Sequence, residues 1–218
     1  MSLLRLVIDT TIPELGNLVI VGTKSHILDI SFSSDKNIKS TNLPDPLPPH
    51  FKLCQTELIE YFQGKREQFT CQKYFVYLNT GNEGKTPTSF QQQVWKQLLE
   101  IPFGETKSYT ELAEEINCPK GCRAVGNANG KNPYSVVVPC HRVTTKNGLG
   151  GYAGGLKVKE WLLKHEGKDL NQFTRLEYEK EKEKDKKKSI KKREKREEEE
   201  KEEEKVSVQS KKRQKIQD

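Results

Sequence analysis

Several features are scarce in this 218-residue sequence, and each scarcity argues against a class of protein. The first apolar run, Leu3–Ile8, contains Arg5 and is followed by Asp9, so we expect no secretory signal there. No other run approaches the roughly 18 apolar residues that a membrane-spanning helix needs, so we expect no membrane partner. The five cysteines are odd in number and scattered, which favours free thiols in a reducing, intracellular compartment.

Metal-binding patterns are also scarce. Cys118 and Cys122 are four residues apart, and His141 lies further along the chain. No second close pair of Cys or His completes a set of four zinc ligands. The first 50 residues contain no cysteine and only His26 and His50. We therefore predict no metal site.

The net charge of +7 (38 basic minus 31 acidic residues) combines two unlike parts of the chain. Residues 173–218 hold 18 Lys or Arg and 14 Asp or Glu, a net +4, which leaves 20 and 17, a net +3, for residues 1–172. Because residues 1–172 are only mildly basic, nucleic acid could be bound there only through a local patch.

The end of the chain has the composition of a tail. Residues 177–205 are almost all Lys and Glu, a composition that cannot bury a core, so residues 171–218 are predicted to be disordered or a solvated single helix. Residues 186–193 and 211–213 resemble nuclear-localisation clusters, which predicts a nuclear protein. The same clusters could instead strengthen non-specific DNA binding, or serve only to solubilise the chain.

The first part of the chain reads as a small α+β layer. Three β-branched runs separated by Gly, Asn and Ser predict an antiparallel meander, at residues 4–8, 18–21 and 27–32. Four prolines in residues 44–49 predict a loop, residues 52–62 a helix closed by Gly64, and residues 69–78 a further strand. We see no constellation of catalytic residues here. The polar segment 81–86 suggests a boundary between domains at residues 1–84 and 85–170.

The second part of the chain is mostly helical. Thr88 and Ser89 open a helix with one apolar face, and Ser108 with Glu111 fits a capping box that opens another. A third helix over residues 121–129 would complete a helix-turn-helix, although two short helices with a tight turn are also common as plain core packing.

The most informative segment is Val136–Val143. Three valines predict a short buried strand or extended run that ends at Pro139, directly before Cys140 and His141. A nearby base can deprotonate a cysteine and make its sulfur a nucleophile. A Cys-His pair alone is weak, because free cysteines are often buried and inert.

The residues that follow this segment strengthen the chemical interpretation. The loop 144–152 is rich in glycine, which permits backbone conformations that other residues avoid. An amphipathic helix over residues 156–166 comes next, with Gly167 as its C-cap. Glu166 stands at the end of that helix, where the helix dipole disfavours an acid, so a specific partner is expected.

These motifs together resemble those of the O6-alkylguanine-DNA alkyltransferases, also called methylated-DNA–protein-cysteine methyltransferases. The resemblance is carried by PCHRV at residues 139–143, GGYAGGL at 150–156, VKEWLLKHEG at 158–167, and the Asn132-Pro133 pair. It is strong over residues 90–167, looser over the first 85 residues, and absent from the tail. It implies an N-terminal ribonuclease-H-like domain without an active site and a C-terminal alkyltransferase and DNA-binding domain.

The resemblance implies a reaction and a set of catalytic residues. An alkyl group would pass irreversibly from O6 of guanine in double-stranded DNA, or less well from O4 of thymine, to Cys140. Glu166 would polarise His141, and His141 would take the Cys140 proton through a bridging water. Asn132, which on pattern alone is an ordinary turn residue, would brace the turn. No cofactor would be needed, each monomer would react once, and damaged DNA would be repaired.

The resemblance also implies residues that contact the substrate. Arg123, otherwise an ordinary surface arginine, would fill the gap that an extruded nucleotide leaves. Tyr109 would donate a hydrogen bond to the guanine ring. The backbone carbonyls of Cys140 and Val143 would read the exocyclic amine, and the Ala153 N–H would bind O6. Other substrate or DNA contacts map to Tyr152, Thr110, Gln91 and Lys146.

Two rival functions remain on the sequence alone. A lesion-binding module without chemistry would lack the reactive cysteine, and the presence of Cys140 argues against it. A thiol hydrolase also uses Cys and His, but it would turn over many times and would need an oxyanion hole.

Overall fold

The computed structural model describes residues 3–76, 87–146 and 148–173, and the described residues up to Gln172 belong to one compact unit. The fold is α+β, with a small sheet in the N-terminal region (residues 3–76) and mainly helices in the C-terminal region (residues 87–173). None of the helices in the described ranges combines the length and apolarity needed to cross a bilayer.

The N-terminal sheet is the predicted antiparallel meander. Its strands are β1 (Leu4–Asp9), β2 (Asn17–Gly22) and β3 (Ile27–Ser33), in that order. Leu4, Leu6 and Ile8 alternate with more exposed residues along β1, so one face of the sheet is buried.

Helix α1 (Pro49–Phe62) packs in the same region. It begins three residues before the predicted start, because a proline at the first helical position loses no hydrogen bond. Gly64 follows the helix with φ +69°, a conformation that suits glycine.

The strand predicted over residues 69–78 is wrong where the structure describes it. Residues Cys71–Tyr74 form a 3-10 helix, and only Phe75 makes an isolated bridge, to Ile27. The buried Glu57 carboxylate accepts hydrogen bonds from the backbone N–H groups of Thr70 and Cys71, so these groups are not available to a sheet. Residues 77 and 78, the predicted boundary at 81–86 and the tail beyond 173 lie outside the described residues.

The C-terminal region contains the three predicted helices. They are α2 (Ser89–Leu99), α3 (Tyr109–Glu115) and α4 (Cys122–Gly130). Ser108 and Glu111 form the predicted capping box, and Thr88 forms a second one with Gln91. The Trp95 indole donates to the Ala128 carbonyl at 2.9 Å and ties α2 to α4.

A short strand pair, absent from the sequence prediction, places α3 beside the segment that follows Cys140 and His141. Strand β4 (Lys107–Ser108) pairs in parallel with β5 (Val143–Thr144). Tyr109 therefore starts its helix next to the chain that leaves Cys140. The last long helix is α5 (Leu156–His165). It was predicted to end at Glu166, which instead caps it one residue after its last helical residue.

The strand or extended run predicted at residues 136–138 is also wrong. The three valines are buried as expected, but they lie in a turn, and Val136 has φ +73°. The Val138 N–H bonds the Tyr134 carbonyl at 2.9 Å, and the Cys140 N–H bonds the Val138 carbonyl at 2.8 Å. Local turn bonds thus satisfy the backbone, and the preference of valine for strands is overridden.

This turn is attached to the edge of the N-terminal sheet. The Ile30 N–H donates to the Pro133 carbonyl at 2.7 Å, and the Ser135 N–H donates to the Ile30 carbonyl at 2.8 Å. The Tyr134 ring stacks on Phe75 at 4.0 Å between centroids, and its hydroxyl donates to the Ile27 carbonyl. Strand β3 therefore helps to fix the segment that carries Cys140.

Candidate active site

Cys140 starts a 3-10 turn, Cys140–Arg142, and only 3% of it is exposed. The Asn132 amide donates to its sulfur at 3.0 Å and to the Val138 carbonyl at 2.8 Å. The Asn132 side-chain oxygen in turn accepts from the Tyr134 N–H at 3.0 Å. One side chain thus braces the turn and touches the sulfur, as the resemblance implies for Asn132.

Two opposing effects act on the Cys140 thiol. Burial raises its pKa, while the hydrogen bond from Asn132 and the positive charge of Lys159 act in the opposite direction and favour the thiolate. The net effect is a raised pKa, so the sulfur is protonated at rest. Reaction therefore requires a base that removes the proton when the substrate is in place.

His141 is fully buried, and its hydrogen bonding suits it to act as this base. Its Nε2 lies 2.8 Å from Oε1 of Glu166. Because the carboxylate accepts, Nε2 carries the proton and Nδ1 is left with a free lone pair; within the described residues Nδ1 has no hydrogen-bond partner. Burial lowers the pKa of His141 despite the opposing effect of Glu166, so the ring is neutral near pH 7.

Glu166 is anionic although it is buried. Burial alone would raise its pKa, but hydrogen bonds from His141 and Arg142 outweigh burial and lower it. Arg142 donates from Nε to Oε2 at 2.8 Å and from Nη2 to Oε1 at 2.9 Å. This bidentate pair gives the carboxylate a fixed orientation.

Two further donors complete the surroundings of Glu166. The Tyr61 hydroxyl of α1 donates to Oε1 at 2.8 Å, and the Gly104 N–H donates to Oε2 at 3.3 Å. Sequence reasoning missed Tyr61 and Arg142. Arg142 stands inside the recognised PCHRV motif, which was a usable signal, whereas Tyr61 is 105 residues from Glu166 and carried none.

Lys159 was also missed, and it organises the loop after Cys140. Its side chain is completely buried, and its ammonium group donates to the backbone carbonyls of Val143 (2.5 Å), Leu149 and Gly151 (3.3 Å). These carbonyls lie at both ends of the loop. A single buried cation thus holds the loop closed and places positive charge near the sulfur.

Tyr109 lies between this loop and α4. Its ring faces Gly150 and Gly126, and its hydroxyl is 3.5 Å from the Gly151 carbonyl. A β-carbon on Gly150, where φ is +68°, would come within 3.0 Å of the ring. The predicted substrate-binding hydroxyl is therefore half-buried and close to the loop that would cover a bound base.

The carbonyls predicted to read the guanine amine already have donors. The Cys140 carbonyl accepts from the Val143 N–H and from the Asn129 amide at 3.3 Å, and the Val143 carbonyl accepts from Lys159. A carbonyl has two lone pairs, so the Val143 oxygen retains room for one more donor. To accept from a guanine amine as well, the Cys140 carbonyl would have to lose its hydrogen bond from Asn129 or share one lone pair between two donors.

Tyr152 and Ala153 lie just before α5. Ala153 is exposed, whereas the Tyr152 ring meets His141 edge-on at 6.5 Å. Burial and the nearby Cys140 raise the pKa of Tyr152 well above its ordinary value, so its hydroxyl stays protonated.

Three of the four residues predicted to contact DNA are exposed. Arg123 is exposed on the first turn of α4, and Lys146 is exposed in the loop. The exposed Thr110 accepts a weak hydrogen bond from the Cys122 thiol at 3.7 Å. The Gln91 side chain accepts from the Thr88 N–H in a capping box, so helix capping alone accounts for that residue.

Metal-ligating side chains do not cluster in the part of the chain that the structure describes. Within the described ranges, no group of three or more His, Cys, Asp or Glu side chains is arranged to hold a metal ion. The site consists of a buried thiol, a neutral imidazole and an anionic carboxylate. This is the arrangement of a nucleophile, a base and a group that orients the base.

Two family models match the chain. Residues 89–168 match "6-O-methylguanine DNA methyltransferase, DNA binding domain", and residues 8–72 match "6-O-methylguanine DNA methyltransferase, ribonuclease-like domain". The first match contains every predicted site residue, and the second contains β2, β3 and α1.

Several known proteins are similar over most of the chain. A probable methylated-DNA–protein-cysteine methyltransferase of Acanthamoeba polyphaga mimivirus is 40% identical over 163 residues, which cover 75% of this chain and 96% of the relative. The methylated-DNA–protein-cysteine methyltransferase of Shigella flexneri is 58% identical over 145 residues, 65% of this chain and 75% of the relative.

Solved structures agree with these sequences. The O6-methylguanine methyltransferase of Mycobacterium tuberculosis aligns with a TM-score of 0.59 and 34% identity, covering 76% of this chain and 93% of that one. A structure described as the Mycobacterium tuberculosis OGT in complex with DNA aligns with a TM-score of 0.59 and 37% identity, covering 74% and 91%.

Proposed function

The chain belongs to the methylated-DNA–protein-cysteine methyltransferases, the O6-alkylguanine-DNA alkyltransferase family, and from this premise we propose that Cys140 is the cysteine that receives the alkyl group. The protein repairs DNA by direct alkyl transfer to its own sulfur. The substrate we propose is O6-alkylguanine in double-stranded DNA, with O4-alkylthymine a poorer one.

The first step is removal of the thiol proton. His141 Nδ1 accepts the Cys140 proton, directly or through a water molecule, while Nε2 keeps its hydrogen bond to Glu166. The imidazolium that forms is stabilised by the Glu166 carboxylate, whose charge Arg142 holds in place. The Asn132 amide and the Lys159 charge stabilise the thiolate.

The second step is displacement at the alkyl carbon. The sulfur lone pair forms the new S–C bond, and the electrons of the C–O6 bond remain on the guanine. Tyr109 donates to the ring as negative charge develops, and the guanine then takes up a proton. The products are unmodified guanine and an S-alkylcysteine. A thioether is not readily returned to a thiol, so each molecule reacts once, and no cofactor is consumed.

Access to the lesion requires base flipping. O6 is out of reach of a buried sulfur while the guanine is stacked in a duplex. The exposed Arg123 at the start of α4 would fill the vacated space, and the loop held by Lys159 would cover the extruded base. We propose that the protein acts on DNA as a monomer and in the nucleus, where the basic tail clusters would direct it.

The observation that carries this proposal is that Asn132 donates to the Cys140 sulfur while Glu166 accepts from His141, the residue next to Cys140. Its test is a stoichiometric titration. A fixed amount of protein is mixed with increasing amounts of duplex containing O6-methylguanine, and repaired guanine is counted. We expect a plateau at one repaired base per protein molecule, and none with Cys140→Ser. Continued turnover would favour a thiol hydrolase, and lesion binding without repair would favour a non-catalytic binding module.

A further inference from the structure

Helix α1 contributes a side chain to the active site from a part of the chain that sequence analysis left without a catalytic role. The Tyr61 hydroxyl donates to Oε1 of Glu166 at 2.8 Å, and Tyr61 is completely buried. Tyr61 lies within residues 8–72, which match the ribonuclease-like family model, while Glu166 lies in the DNA-binding match.

The position of Tyr61 is fixed on several sides. Its ring centroid lies 5.0 Å from His165, 5.5 Å from Phe69 and 6.2 Å from Phe103. Its backbone carbonyl also lies 2.6 Å from Nε2 of His165. Burial and the Glu166 charge raise its pKa well above the ordinary value, so the hydroxyl is a permanent donor.

Tyr61 shares its acceptor atom with His141. Oε1 of Glu166 receives the Tyr61 hydroxyl, the His141 Nε2–H and one Arg142 nitrogen, all within 2.9 Å. Each donor reduces the negative charge that the oxygen offers to the others. Loss of the Tyr61 donor would therefore strengthen the hold of Glu166 on a protonated His141.

Given transfer to Cys140 as the function, we propose that Tyr61 is a positioning residue that sets the basicity of His141 through Glu166. It keeps the carboxylate from becoming too strong a partner for the imidazolium. The ribonuclease-like region thereby takes part in the chemistry of the neighbouring region, and its role is not limited to support.

The other charged groups around His141 are unchanged when the hydroxyl is removed. Arg142 and Lys159 both disfavour its protonation, and Glu166 favours it. Cys140 precedes His141 and the Tyr152 ring meets it edge-on, and both groups have raised pKa values that keep them neutral. On Glu166, the donors besides Tyr61 are His141, Arg142 and the Gly104 N–H. A shift in His141 titration after Tyr61→Phe would therefore be traceable to Oε1.

The test is the pH profile of single-turnover transfer from an O6-methylguanine duplex for Tyr61→Phe. We expect the acid limb of the profile to move to higher pH by about 0.5–1 unit, the shift equivalent to one net hydrogen bond. Affinity for the lesion duplex, measured in a Cys140→Ser background, should be unchanged.

Tyr134→Phe is the matched control. It also removes a buried phenol hydroxyl that links the two regions, since Tyr134 donates to the Ile27 carbonyl at 3.2 Å, but it does not touch Glu166. It should lower stability without moving the acid limb. Incorporation of 3-fluorotyrosine at position 61, a stronger donor, should move the limb to lower pH.

Two results would overturn the role of Tyr61 while leaving the proposed function intact: an acid limb that stays in place in Tyr61→Phe, or one that moves equally in Tyr134→Phe. If the wild-type protein forms no thioether, the proposed function itself fails, so the two failures are distinguishable.

Discussion

At Cys140, burial and neighbouring side chains act on the thiol in opposite directions, and the balance determines when the sulfur reacts. Burial raises its pKa and keeps it protonated at rest, and a protonated thiol is less reactive than a thiolate. Asn132 and Lys159 favour the thiolate, and the neutral His141 supplies the base. At rest the sulfur is therefore a protonated thiol, and the residue next to it carries a neutral imidazole.

The pH dependence of transfer follows from His141. Burial lowers its pKa below the ordinary value of 6.5, so the base becomes protonated, and is lost, only below that pH. We expect the single-turnover rate constant to be level between about pH 7 and 8 and to fall only below about pH 6.5. Quench-flow measurements across this range would check it, and an acid limb above pH 7 would contradict a neutral His141.

Replacement of Lys159 should separate charge from packing. Lys159→Met keeps most of the side-chain volume but removes the ammonium group that holds three loop carbonyls and favours the thiolate. We expect transfer at pH 7.5 to slow by about tenfold or more, the effect of one unit in the pKa of Cys140. The exposed Lys157 on the same helix provides the control, and Lys157→Met should react at the wild-type rate.

Among the structural elements, the loop after β5 depends on two adjacent glycines that differ in their surroundings. Gly150 has φ +68° and faces the Tyr109 ring, whereas nothing lies within 4 Å of where a Gly151 side chain would begin. The loop, Tyr109 and α4 thus pack against one another.

This difference predicts unequal effects of two alanine substitutions. Gly150→Ala adds a β-carbon 3.0 Å from Tyr109 and imposes a left-handed conformation that costs about 1–2 kcal/mol. We expect a lower melting temperature and slower transfer. Gly151→Ala should affect both much less. Equal effects of the two substitutions, measured by thermal unfolding and single-turnover rates, would contradict the conformation assigned to this loop.

Helix α4 carries the prediction about base flipping. Arg123 is exposed, so Arg123→Ala should leave the melting temperature nearly unchanged. If its side chain fills the space left by the extruded base, transfer from a fully paired duplex should slow more than transfer from a single-stranded oligonucleotide with the same lesion. Equal slowing on both substrates would assign Arg123 a general role in DNA binding.

Elements set by local chemistry were predictable, and those set by distant contacts were not. Ser108 and Glu111 lie three residues apart, and their capping box formed as expected. Val136–Val138 pointed to a strand, but bonds from Asn132 and the docking of Tyr134 on β3 impose a turn. The 3-10 helix at residues 71–74 likewise depends on a hydrogen bond to Glu57, and the sequence of the segment itself gives no sign of that bond.

The site was predictable where a motif stood in one stretch of sequence. Cys140, His141, Glu166 and Asn132 were identified from motifs, and the structure joins Asn132 to Cys140 and Glu166 to the adjacent His141. Tyr61 and Lys159 were not identified: Tyr61 is joined to the site only by tertiary folding, and a buried lysine on an amphipathic helix is indistinguishable in sequence from an exposed one. Gln91 was assigned to DNA, and that stays a prediction; the structure shows its side chain in the capping box of α2.

For the whole molecule, the N-terminal region supports the active site at two separate places. Strand β3 holds the turn before Cys140 through Ile30, and α1 reaches Glu166 through Tyr61. Strand β3 at the sheet edge positions the segment that carries Cys140, and helix α1 positions the Glu166 carboxylate that orients His141. The catalytic geometry is therefore a property of both regions together, although the recognisable motifs lie in only one.

The most direct test of this account is the mass of the intact protein after reaction with a duplex containing O6-methylguanine. The account predicts a gain of one methylene, about 14 mass units, localised to Cys140 by peptide mapping and absent in Cys140→Ser. An unchanged mass, or a methyl group on any other residue, would contradict the assignment of Cys140 as the acceptor.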